Sequence, residues 1–286
     1  MNNLTMTEEE RKLDYSDLLL KPLPEVAPKL LEEMEQSPVD PEKMTSIHDR
    51  NDILEPGYLE VENGYTRMPD GSGAVATKVE MPGVTPEMVV WWFAWHGIRD
   101  LRYRIWCPTE HYGIHVLEKD LLHRLDTSLS MAERGWGTTD VVTENVGSGP
   151  QEMHLTFYSP KDYGYDPDLV KNVDALINAC VTDPKTGMRL ITFSHCIRKI
   201  PGGIEYRSHY WQGYSIDENG KAYAASIPPE GFPMEVMKKN AYHSLLEYTN
   251  LAEILPGLYE KYGKETDLKA DHYKAEADDR ILNKPV

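Results

Sequence analysis

The sequence predicts an α+β fold, an antiparallel sheet curved around one long C-terminal helix. Three observations predict it. Residues 233–257, PMEVMKKNAYHSLLEYTNLAEILPG, read as a long helix with an inward side. Before it, TTDVVTENV, EMHLTFYS, RLITFSHCIRKI and IEYRSHYWQGYSI read as strands, rich in β-branched and aromatic residues. The turns Pro201-Gly202-Gly203 and Asp217–Gly220 connect strands as hairpins, which makes the sheet antiparallel. A sheet and a helix that each carry one apolar face bury those faces together, with space for a cavity between them. This is the helix-grip arrangement.

Residues 1–56 form a helical segment outside that body. Thr7 and Glu10 have the spacing of a capping box and open a short helix toward Leu18–Leu20. Pro22, Pro24 and Pro28 interrupt, KLLEEMEQ forms a second short helix, and a third follows Asp40-Pro41. None carries enough apolar surface to fold alone, so the segment is expected to pack on the body or on a second subunit. Residues 57–264 form the body. Leu54–Thr66 is turn-rich, Met68-Pro69-Asp70-Gly71 is a break, and Ala74–Met81 alternates as a strand does. Thr85-Pro86 opens a helix through VVWWFAWHG, closed by Gly97, and Arg99–Trp106 makes a further helical turn ended by Pro108. Gly147-Ser148-Gly149 and Pro184–Gly187 supply further turns in the β-rich half. The long helix has Pro233 in its first turn and Pro256-Gly257 as its stop. Residues 265–286 read as a polar tail.

Composition narrows the function classes. The 286-residue chain carries a net charge of −17, which opposes nucleic acid and anionic membranes as partners. No apolar run approaches the ~20 residues that span a bilayer. The acidic start MNNLTMTEEERK lacks the pattern of a signal peptide, and three cysteines without a CxxC suit a reducing compartment, so a cytoplasmic location is expected. Seventeen Tyr and six Trp stand against four Phe. Such rings line a pocket while offering polar handles to an aromatic ligand.

Chemistry concentrates in three places. On the long helix the stripe Val236, Asn240, His243, Glu247, Leu251, Ile254 is polar in its middle, beside the mainly apolar stripe Met237, Ala241, Leu245, Tyr248, Ala252, Leu255. His243 and Glu247 emerge one turn apart on one face, and a divalent metal satisfies both when they are buried. The plainer alternative is a surface ion pair. Residues 91–115 gather four Trp, two Tyr and three His, with His111, His115 and Glu118 spaced for a local helical site that Gly113 weakens. In VVTENVG, Glu144 shares a strand face with Val142 and Val146; it faces a cavity or is an edge charge. His195 lies mid-strand in FSHCIRK, while His209 and Tyr210 lie on opposite faces of the next strand. These can exchange protons with a bound oxygen or be ordinary core residues. GxGxxG, P-loop, HExxH and GxSxG motifs are absent. Cys107 and Cys196 lack a nucleophile motif.

Taken together, WWFAWHG, the Tyr103-x7-His111 spacing, TENVG, YRSHYWQG and HxxxE on the last helix resemble the diacetylphloroglucinol hydrolase family, which includes phloretin hydrolases. The resemblance spans roughly residues 57–262. It implies a birch-pollen-allergen/START-like helix-grip domain, an N-terminal part used in homodimerisation, and hydrolysis of the carbon–carbon bond between an acyl group and a polyphenol ring, releasing a carboxylic acid. It implies one zinc per chain held by His111, Glu144, His243 and Glu247. Tyr103, His195 and Tyr210 resemble the family's acid–base and substrate-binding groups, with His209 a rival to Tyr210 for the substrate. Gly113 and Ile114 stand where the family pocket has an Asn. The implied donors, two imidazoles and two carboxylates, suit zinc and also accommodate Mn or Fe(II). On this reading His195 handles the proton, while Tyr103 and Tyr210 anchor phenolic oxygens of a small aromatic ketone. Two other functions fit the same fold: a different metal-dependent enzyme acting on aromatic ketones, and a non-catalytic carrier of aromatic ligands.

Overall fold

The computed structural model describes residues 4–145 and 149–274. Val146, the Gly147-Ser148 turn and the tail beyond residue 274 lie outside the described residues. The elements are α1 (Glu8–Lys12), α2 (Pro28–Met34), β1 (Gly64–Arg67), β2 (Gly73–Pro82), α3 (Pro86–Trp95), α4 (Asp100–Arg104), β3 (His111–Val116), α5 (Glu118–Arg124), α6 (Met131–Gly135), β4 (Thr139–Glu144), β5 (Gln151–Tyr158), β6 (Ala175–Thr182), β7 (Arg189–Ile200), β8 (Gly203–Gln212), β9 (Tyr214–Ile216), β10 (Ala222–Ala224) and α7 (Met234–Tyr262). Short 3₁₀ turns punctuate them.

Eight strands form one antiparallel sheet in the order β1-β2-β8-β7-β6-β5-β4-β3, and β9 and β10 make a small hairpin. α7 lies across β1 and β2 and also meets α3. The arrangement is a helix-grip. Along each strand, successive side chains alternate between two covered faces. Val75, Met153, Ile177, Phe193 and Tyr206 join the core against α3 and α7. Cys180, Cys196 and Trp211 pack on the other face, beneath Ile47, Ile53 and Leu54.

The N-terminal residues are bound into this body. Thr7 and Glu10 close the expected capping box on α1. Leu13, Tyr15, Leu19 and Met34 enter the main core. Residues 265–274 return over the same region: the Arg102 guanidinium donates to Leu268 O (2.7 Å) and Ala270 O (3.0 Å), and Lys274 N donates to Lys12 O (2.8 Å).

α7 departs from expectation at its end. Pro256-Gly257 does not stop it; Pro256 lies inside the helix, which runs on to Tyr262. Pro in a helix interior costs about 3 kcal/mol. The added turn buries Leu258 and Tyr262, 3% and 0% exposed. At about 1.5–3 kcal/mol each, that burial offsets the proline.

Candidate active site

The site forms where the polar middle of α7 meets the sheet. Val236, Asn240, His243 and Glu247 line one wall of a cavity of about 100 Å³. Val142, Met153, Phe157, Val181, Ile191 and Phe193 supply an apolar wall from β4 to β7. Residues 105–106, which lead toward β3, are tied to α7. Trp106 Nε1 donates to Glu247 O (3.0 Å), and Asn250 Nδ2 donates to Ile105 O and Trp106 O.

His111 begins β3, and register places it directly opposite Glu144 on β4. A bulge between His111 and Gly113 breaks the alternation, so His111 and Ile114 are buried while His115 is exposed. The local His111/His115/Glu118 site therefore does not form. The segment is a strand, and its next-turn spacing has no helical meaning.

His111 Nδ1 lies 3.0 Å from the Tyr103 carbonyl, which only accepts, so Nδ1 carries the proton and the Nε2 lone pair faces the site. Nε2 lies 3.7 Å from Glu144 Oε2 and 3.6 Å from Glu247 Oε2. His243 Nε2 is 3.7 Å from the same Glu247 oxygen, and its Nδ1 bonds the Glu110 carboxylate. Tyr103 OH donates to Glu144 Oε2, and its ring stacks on His111 at 3.9 Å.

The electrostatics follow from burial. Burial, with repulsion from His243, holds His111 neutral, its pKa well below the ordinary value. For His243 burial opposes protonation, but Glu247, Cys107 and Glu110 outweigh it and raise the pKa well above the usual value. Burial pushes Glu247 up to about 8, helped by the nearby Glu144 and resisted by His243.

These residues fit a divalent ion. Ligands about 2.1 Å from a tetrahedral centre stand about 3.4 Å apart. Three of the spacings among these donors, at 3.6–3.7 Å, are close to that separation. Cys107 adds a second possibility, because it, His111 and His243 also bring one ligand atom each within 4.8 Å of one another. Burial raises the Cys107 thiol pKa and so keeps it protonated. The same burial pushes Glu247 up, so protonation in the metal-free chain does not separate the two donor sets.

His195, on β7, faces the cavity within a ring of Phe93, Phe193, Tyr206, Tyr210 and Tyr248. Its Nδ1 has no hydrogen-bond partner among the described residues. Burial, with a smaller contribution from His209, lowers its pKa to about 3, so it rests as a neutral base. Tyr210 OH bonds Tyr248 OH and accepts from Ser244 Oγ (3.2 Å).

Tyr103, Glu144, His195, Tyr210, His243 and Glu247 all line the cavity, and His111 joins them through its carboxylate contacts. His209 does not. Strand alternation turns it to the other face, stacked on Trp211 at 5.9 Å. Sequence reasoning gave Cys107 no ligand role and missed Glu110 and His96. Glu110 stands beside His111 in the chain, yet its contact is with His243, 133 residues away.

The model of the DAPG hydrolase PhiG domain matches residues 44–260. The chain belongs to this family. Phloretin hydrolase of Eubacterium ramulus is 34% identical over 254 residues, covering 88% of this chain and 91% of that protein. The 2,4-diacetylphloroglucinol hydrolase of a Pseudomonas species is 32% identical over 231 residues, 76% of this chain and 77% of that one. Among solved structures, Ara h 8.0201 aligns over 65% of this chain and 99% of that one, with a TM-score of 0.42 at 12% identity. The DAPG hydrolase match spans the full set of cavity residues, from Phe93 to Glu247, and leaves residues 1–43 outside it.

Proposed function

We propose that the chain is a zinc-dependent hydrolase that cleaves the carbon–carbon bond between an acyl group and a phloroglucinol-type ring, releasing a carboxylic acid. The observation that carries this reading is the convergence of His111, Glu144, His243 and Glu247 at one side of an aromatic-lined cavity. Relatives named for phloretin and 2,4-diacetylphloroglucinol support it.

The four residues would hold the metal, which would supply Lewis acidity at the ketone. The chain's own groups do the rest. His195, neutral in its aromatic box, takes a proton as water adds to the carbonyl. It then returns that proton to the ring carbon as the bond to the acyl carbon breaks. Hydroxyls ortho and para to that carbon let the ring leave with its charge spread over phenolic oxygens. Tyr103 and Tyr210 orient those oxygens, and the apolar wall excludes bulk water. A homodimer and a cytoplasmic location, implied by the resemblance and by composition, belong to the same reading.

Elemental analysis of wild type, His243→Ala and Glu247→Gln, with a parallel assay of acid release from acylphloroglucinols, tests the proposal. About one zinc per wild-type chain, lost in both variants together with acid release, is expected. Metal-free wild type that still binds aromatic ketones would replace the hydrolase with a carrier.

A further inference from the structure

Among the buried cavity groups that the proposed mechanism leaves unused is a histidine. His96 follows α3 directly, is 2% exposed and lines the same cavity as Glu144 and His195. Its Nδ1 lies 2.7 Å from the Trp92 carbonyl. A carbonyl only accepts, so the proton sits on Nδ1, and Nε2 keeps a lone pair with no partner among the described residues. The ring is held in a stack between Trp92 (5.2 Å) and Tyr103 (5.9 Å), with Phe93 and Trp106 edge-on at 5.4 Å each.

The backbone under His96 is equally fixed. Arg124 Nη1 donates to Phe93 O (3.3 Å) and Arg102 Nη1 to Trp95 O (3.0 Å), so guanidinium groups satisfy the last carbonyls of α3. A Cβ on Gly97 would stand 2.8 Å from Arg124 Nη1 and 2.9 Å from Asp140 Oδ2, so this turn is pressed onto a buried ion pair. Burial lowers the pKa of His96 to about 3, and the charges of Arg124 and Arg102 add to the effect. It is a permanent acceptor, locked in tautomer and orientation.

We propose that His96 Nε2 accepts a hydrogen bond from a phenolic hydroxyl of the substrate ring and makes the enzyme selective for polyhydroxylated rings. This rests on the acylphloroglucinol reading above and names the group that recognises the ring. A hydroxyl that donates to His96 pushes electron density onto the ring carbons ortho and para to it. One of these is the acyl-bearing carbon, which must take up a proton as its bond to the acyl carbon breaks. A site built around a hydroxyl rejects the analogue that lacks it, because its own buried group is then left unsatisfied.

The test compares zinc-loaded full-length wild type with His96→Phe, which keeps a ring in the stack and deletes the acceptor. Substrates are a 2,4,6-trihydroxyphenyl ketone and its 2,4- and 2,6-dihydroxy counterparts. In wild type, kcat/KM falls most for the ketone lacking the hydroxyl that His96 binds. In the variant that particular preference shrinks by about tenfold, with zinc content unchanged. Equal losses on all three ketones would overturn the proposal and leave His96 a packing role. A wild type that releases no acid from any of them defeats the hydrolase reading instead. A second measurement covers that outcome, and a variant that fails to fold: ¹⁵N-histidine spectra of wild type titrated with phloroglucinol. A shift of the His96 Nε2 resonance is expected, and its absence would sink the assignment.

Discussion

Replacing Cys107 with Ser separates the two donor sets that share His111 and His243. Cys107 Sγ lies 3.9 Å from Thr109 Oγ1 and from Glu110 Oε2, at the long limit for a sulfur hydrogen bond. Losing such contacts costs under about 1 kcal/mol, and a serine hydroxyl can bond the same partners. If the carboxylates complete the site, zinc affinity of Cys107→Ser, read by competition with a chromogenic chelator, stays within about threefold of wild type, since 1.4 kcal/mol is a factor of ten. The melting temperature falls by no more than about 4 °C. Glu247→Gln keeps the side-chain shape but removes a charged donor. Its affinity then drops by more than the about 100-fold seen when a ligand loses only its outer hydrogen-bond partner. The reverse pattern, with zinc lost from Cys107→Ser and kept by Glu247→Gln, would refute the two-carboxylate site.

Two further predictions concern the frame around the cavity. Arg124 and Asp140 pair at 2.9 Å with side chains 0% and 1% exposed, so Arg124→Met strands a buried carboxylate. The loss is about 3–5 kcal/mol, or about 6–20 °C in thermal melting, and Asp140→Leu added to it restores part; a loss under about 1 kcal/mol would contradict the pairing. For Glu62, burial opposes ionisation, but Arg207, bonded through Nε (2.9 Å) and Nη2 (2.6 Å), outweighs it and holds the carboxyl pKa below 4.5. A depressed carboxylate stabilises the fold fully above its unfolded value, and the contribution disappears as pH falls through the folded one. Urea melts should therefore show wild type more stable than Glu62→Gln above about pH 5 and converging with it below pH 4; a gap that widens on acidification would reverse the sign of the argument.

What was legible in the sequence was what a single element decides. The two stripes of α7 are readable because helical spacing alone puts His243 beside Glu247, whatever packs against them. β2, β7 and β8 are readable from alternation and from glycine turns. β6 escaped notice because ALINACVT is covered on both faces: Ile177 and Val181 face the main core, Leu176 and Cys180 the other. Such a strand shows no alternation. β1 is four residues long and has too little pattern to register.

The remainder of the site depends on register, which no local window contains. His111 meets Glu144 only because β3 pairs with β4 at that step, and the bulge after His111 decides that His115 does not join it. His209 shows the same rule in reverse: one residue from Tyr210, it lies on the wrong face. Glu110 and Cys107 face His243 only because Trp106 and Asn250 fasten their loop to α7. The histidine of WWFAWHG had the least local signal, since its acceptor role needs the Trp92 carbonyl on one side and the cavity on the other. A pair within one helix can be read as a ligand pair from sequence, but a donor set completed by strands and loops needs the fold. The family resemblance pointed to His111 and Glu144 through the order and spacing of whole motifs, information that a local pattern of residue types does not carry.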